Sequence, residues 1–166
     1  MDKIDKNQKI MLILLGIGLI IVMIIKIVSF YNKKDTIDNS IKIVTDQNKF
    51  FEVSSCIDKY ITYSQNDDYD NLINIISSEY IKENNISQDN IFNYIKKFDF
   101  NDVFSSRKMY YQQLDKSIYK YYVYGTYRQE LMDSVGQSQN YYFIVYLYTN
   151  NMTFSIEPYD GEIFEG

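Results

Sequence analysis

The chain has 166 residues, enough for one modest domain plus a short appendage. It carries 15 Lys, two Arg, 18 Tyr, one Cys and no His, Trp or Ala, at a formal charge of −5. Without His there is no Ser-His-Asp or Cys-His hydrolase and no His-bound metal, and one Cys excludes an internal disulfide and a thiolate zinc cluster.

Charge is split along the chain. Residues 1–34 carry +4, from six Lys against two Asp, and the remainder carries −9. Between the flanking lysines, Ile10–Ile25 is an uncharged apolar run. Alone it spans about 24 Å, less than the roughly 30 Å of a hydrocarbon core, but continuing through Lys26 to Tyr31 gives about 33 Å. Lys26 can then snorkel, and Phe30 and Tyr31 fall where aromatics anchor at an interface. The expected organisation is a cytoplasmic tail over 1–9, a transmembrane anchor over 10–31, a stalk over 32–44 and an extracytoplasmic domain over 45–166. A cleaved signal is disfavoured because the chain has no Ala for the usual cleavage site. A lipoprotein signal would need its Cys directly after the run, and Cys56 is far downstream. Lysines on the two sides are equal in number, so orientation rests on the layout: short tail, one span, long C-terminal domain.

From Thr45 the pattern is helical, with Thr45 or Asp46 placed to cap. Phe50, Val53, Ile57, Tyr60 and Ile61 fall on one stripe of a helix over about Asp46–Ser64. A second helix is expected from about Asp68, fading at Glu83-Asn84-Asn85. A third is expected over about Gln88–Lys97, capped by Ser87, with Ile91, Tyr94, Ile95 and Phe98 inward.

After Phe98 the period changes from 3.6 to 2. Val103–Leu114 alternates, placing Phe104, Lys108 and Tyr110 on one side and Met109 and Tyr111 on the other. Asp115-Lys116-Ser117 turns the chain into a strand over Ile118–Glu130. Its Tyr119, Tyr121, Val123 and Tyr127 oppose Ile118, Tyr122 and Tyr124. A loop over Asp133–Asn140 leads to strands over Tyr141–Thr149 and Met152–Glu157. The fold class is therefore α+β: a transmembrane helix, three helices and a curved four-stranded antiparallel sheet.

This order resembles the cone of the ketosteroid-isomerase/nuclear-transport-factor-like (cystatin-like) superfamily. In layout it is similar to single-span assembly subunits of type IV secretion and conjugation systems, and to small membrane proteins of low-GC Gram-positive bacteria. The resemblance covers about residues 45–160 and rests on element order and the stripe from Phe50 to Ile61. It implies a fold. It transfers no catalytic Asp or Tyr to a numbered position.

The tyrosines are the candidate interaction surface: Tyr119, Tyr121, Tyr122, Tyr124, Tyr127, Tyr142, Tyr146 and Tyr148. Tyr, Asn, Lys and Ile are also written with A/T-rich codons, so genome composition alone would enrich them. A half-wet sheet is likewise an ordinary place for Tyr, whereas aromatics on both faces favour a second burial surface. Cys56 flanks the helical stripe and is expected to be a buried, unreactive thiol. Asp67-Asp68-Tyr69-Asp70 lacks the Gly and distal Glu of a calcium loop and sits where a helix start wants acids. No metal, cofactor or catalytic residue is expected, and the −9 charge disfavours nucleic acid. Expected partners are membrane lipid through Ile10–Tyr31 and a protein, either another envelope component or a second copy. Three functions follow: a non-enzymatic scaffold or interaction module of an envelope or secretion machine, a small-ligand or glycan-binding cone, and an Asp/Tyr acid–base enzyme.

Overall fold

A computed structural model describes residues 5–31, 37–131 and 134–164. The chain forms two compact units, Met1–Thr36 and Ile37–Gly166. In the first, Lys6–Tyr31 is the helix α1. Its apolar side chains described between Met11 and Val28 are all exposed. Nevertheless, among the described residues no helix is long and apolar enough to cross a membrane. This overturns the transmembrane helix expected in the fold. The uncharged run alone covers only about 24 Å, and lengthening it to the thickness of a hydrocarbon core brings in the charged Lys26.

The second unit opens with a short strand, β1 (Lys42–Ile43), and the helix α2 (Gln47–Gln65). Asp46 caps α2: its carboxylate accepts from the Asn48 N–H at 2.8 Å and the Lys49 N–H at 3.4 Å, groups with no partner inside the helix. The spacing of Val53, Ile57, Tyr60 and Ile61 gives α2 its buried stripe, which Cys56 and Ser64 join. The expected second helix is two, α3 (Tyr69–Ile75) and α4 (Ser78–Asn84). Between them Ile76 is extended, and the Ser77 N–H donates to the Ile156 carbonyl at 3.0 Å. Asn85, in the left-handed conformation at φ 50°, ends α4.

The expected third helix shrinks to a single 3-10 turn, Ile91–Asn93. Asn90 is the cause. Its side chain accepts from the Ser87 N–H at 2.7 Å and holds a local turn in place of a helical start. Ile91, Ile95 and Phe98 are buried as the pattern required, but Tyr94 is exposed.

The sheet has five antiparallel strands, correcting the four expected, in the order β1-β2-β3-β4-β5. The additional strand is β1, inside the segment read as a stalk, where Lys42 faces Tyr111 and Ile43 faces Tyr110 on β2 (Asp102–Asp115). The others are β3 (Ile118–Leu131), β4 (Ser134–Tyr148) and β5 (Thr153–Pro158). Most of the expected loop over Asp133–Asn140 is strand, although Asp133 itself lies outside the described residues. Its polar sequence has no hydrophobic alternation to announce pairing, yet the backbone ladder continues to Leu131↔Ser134.

A bulge at Arg107 separates the pairs Ser106↔Gly125 and Lys108↔Tyr124, and it changes which residues share a face. Phe104 therefore joins Met109 and Tyr111 on the inner face instead of Lys108 and Tyr110. The inner face continues through Tyr121, Val123, Phe143, Val145 and Ile156 and packs on α2. At its centre Tyr60 meets Phe98 and Phe143 edge to face, with ring centroids 6.0 and 5.3 Å apart. Two hydrogen bonds fix this packing: Tyr60 Oη donates to the Lys96 carbonyl at 2.7 Å, and the Phe98 N–H donates to Ser64 Oγ at 2.8 Å.

Candidate functional site

The pleat divides the eight candidate tyrosines. Tyr119, Tyr121 and Tyr127 lie on the inner face, where all three belong to the core or pack against it. Tyr122, Tyr124, Tyr142, Tyr146 and Tyr148 lie on the outer face, all half-buried. Each outer phenol except Tyr142 meets a neighbouring strand. Tyr122 donates to Gln112 Oε1 at 3.4 Å, Tyr124 to Asn140 Oδ1 at 3.2 Å and Tyr146 to Glu157 Oε1 at 3.2 Å. Tyr148 shares a 3.3 Å bond with Ser155. Burial and the Glu157 carboxylate push the Tyr146 phenol well above its ordinary range. Two lysines also stand over rings of this face: Lys108 is 4.8 Å from the Tyr110 ring and Lys120 is 5.0 Å from that of Tyr122.

The end of the chain folds back onto this surface. Tyr159 lies 5.4 Å from Tyr122, ring to ring, and its hydroxyl accepts from the Ile163 N–H at 2.9 Å. Gly161 turns the backbone at φ 90°, where an added Cβ would stand 2.8 Å from the Tyr142 ring. Phe164 then seats among three rings, 5.3 Å from Tyr110, 5.8 Å from Tyr124 and 5.6 Å from Tyr142, stacked on the last. Tyr110, Tyr159 and Phe164 were not in the candidate surface. A Gly followed by Ile163-Phe164 within an acidic tail is the one sequence signal that could have found them.

A second tyrosine cluster opens at the other side of the sheet, beside the start of α2. A cavity of about 320 Å³ is lined by Ile43, Val44, Thr45, Asp46, Lys49, Tyr111, Tyr119, Tyr121 and Thr149. Tyr121 is only 3 % exposed, and its ring lies 6.0 Å from that of Tyr111. Burial, with the Glu52, Tyr119, Tyr111 and Asp46 charges adding to it, pushes the Tyr121 phenol up to about 12. Lys49 Nζ is held at 2.7 Å by Glu52.

The remaining candidates are occupied. Cys56 is buried, donates to the Glu52 carbonyl at 3.4 Å, and has its thiol pushed up to about 11 by burial. In the acidic cluster Asp67 pairs with Lys97 at 2.5 Å, Asp68 caps α3 and Asp70 accepts from Gln88. Among the described residues, no three Asp, Glu or Cys stand close enough to hold a metal ion. Comparison with known proteins gives no match among family models, curated proteins or solved structures. The functional reading therefore rests on the geometry of this chain alone.

Proposed function

We propose that the second unit is a non-enzymatic protein-binding module whose recognition surface is the outer tyrosine face of the sheet. The observation that carries this reading is the seat of Phe164 among Tyr110, Tyr124 and Tyr142. There the surface receives an aromatic side chain from a peptide segment, flanked by acids, over a face bearing Lys108 and Lys120. Aromatic rings offer large, rigid contact area at little cost in side-chain entropy, which is the chemistry of interface anchors. The partner is a protein segment of the same kind, an aromatic residue between acids, from an envelope component or a second copy.

The exposed apolar side chains described on α1 support attachment to lipid, which would hold the module at a membrane. Photo-crosslinking tests the assignment in cells. With p-benzoylphenylalanine replacing Tyr148, a defined adduct is expected that is absent when the same group replaces Asn66. Equal adducts at both positions, or none at Tyr148, would remove the outer face as the interaction surface.

A further inference from the structure

We infer that the cavity beside the start of α2 is a binding site for a neutral, hydroxyl-rich ring, the chemistry of a sugar residue. It lies on the inner side of the sheet, so it stands or falls independently of the outer-face reading.

The first ground is an unspent hydroxyl. Tyr121 is 97 % buried, yet among the described residues its phenol has no hydrogen-bond partner, and neither do those of Tyr111 and Tyr119. The only described side-chain oxygen sealed from solvent without a partner is Ser54 Oγ, so the Tyr121 hydroxyl reaches open space. Tyr121 is also a residue of the cavity wall. Burying a phenol this far without a protein partner leaves a place for a ligand atom or water.

The second ground is the chemistry of the wall. Tyr111, Tyr119, Tyr121 and Thr45 each bring a hydroxyl able to donate and accept, Thr149 brings one whose hydrogen already goes to the Ser117 carbonyl, and Ile43 and Val44 add an apolar side. An alternation of donors and acceptors beside aromatic rings matches a ring that carries hydroxyls at its edge and C–H groups on its faces. About 320 Å³ is at the small end of ligand pockets.

The third ground is what the charges exclude. Anions find no vacancy at the α2 N-terminus, because the Asp46 carboxylate already takes the Asn48 and Lys49 N–H groups. Lys49 is already paired with Glu52. Asp46 is spent on the helix N–H groups and Lys49 on Glu52, so neither charge on the wall is left to pair with a ligand ion.

Saturation-transfer NMR on the full chain in a detergent without a sugar headgroup tests this, using N,N′-diacetylchitobiose, sodium phosphate and choline chloride as probes. Transfer to the chitobiose ring protons is expected, falling at least tenfold in Tyr121→Phe and unchanged in Tyr94→Phe. Tyr121→Phe removes a hydroxyl that no described protein group uses, so the fold is expected to survive; far-UV circular dichroism checks it. Absence of transfer from chitobiose, equal transfer in Tyr121→Phe, or tighter binding of choline or phosphate would each overturn the assignment.

Discussion

Tyr60 reaches across the core to Lys96: its phenol, almost completely buried, donates a 2.7 Å hydrogen bond to that backbone carbonyl. The bond ties α2 to the segment before β2 that carries Phe98. Removing the hydroxyl leaves the carbonyl without that donor at a part-buried site. Tyr60→Phe is expected to lower stability by about 1–2 kcal/mol. A urea midpoint equal to that of the unaltered chain would contradict this.

Buried phenols make the second unit sensitive to alkali. Tyr121 and Tyr141 are each pushed up to about 12, and Tyr60 is driven well above its ordinary value, in every case chiefly by burial. Unfolded tyrosine ionises near 10. Above about pH 10 the unfolded chain therefore releases protons that the folded chain keeps, so stability declines as pH rises from there toward about 12. The phenolate absorbance of these three should rise late and together with loss of circular dichroism. Complete ionisation near pH 10 with the fold intact would refute the burial.

Cys56 should be inert. Its thiol is 7 % exposed and pushed up to about 11, so almost no thiolate exists at neutral pH. A disulfide reagent at pH 8 is expected to label it only after denaturation. Labelling of the native chain at the rate of a free thiol would show that the α2 stripe opens there.

Gly161 makes the return of the chain end possible. Its φ of 90° and the 2.8 Å approach to Tyr142 leave no room for a side chain. Gly161→Ala is expected to cost about 1–2 kcal/mol in the turn and to release Phe164 from its seat. Loss of cross-peaks between Phe164 and Tyr142 in NMR spectra, with the rest of the fold retained, is the expected result. Retained cross-peaks would disprove the constraint.

Local patterning and long-range effects differ in how far the sequence discloses them. The helical stripe of Val53, Ile57, Tyr60 and Ile61 and the alternation of Tyr121 and Val123 are periodic, and both are buried as that periodicity requires. Arg107 is different: a single residue outside the ladder register inverts the faces, and no composition marks it, so alternation alone puts Phe104 on the wrong side. The loop expected over Asp133–Asn140 is polar on every side, and ladder pairing there depends on backbone hydrogen bonds that side chains do not report. Lys42–Ile43 is too short for any periodicity, and only its partner Tyr110–Tyr111 makes it a strand. The sites follow the same division. Tyr142, Tyr146 and Tyr148 stand out by composition, whereas the cavity joins Thr45, Tyr121 and Thr149 from elements far apart in sequence.

The most direct test of the binding surface uses the segment already seated on it. A labelled peptide matching residues 157–166 is titrated into the full chain and into its Phe164→Ala variant, with binding read by fluorescence anisotropy. The account predicts saturable binding to Phe164→Ala, at least tenfold tighter than to the unaltered chain and abolished by adding Tyr142→Ala. No binding to a folded Phe164→Ala chain, or binding indifferent to Tyr142, would contradict the outer tyrosine face as a recognition surface.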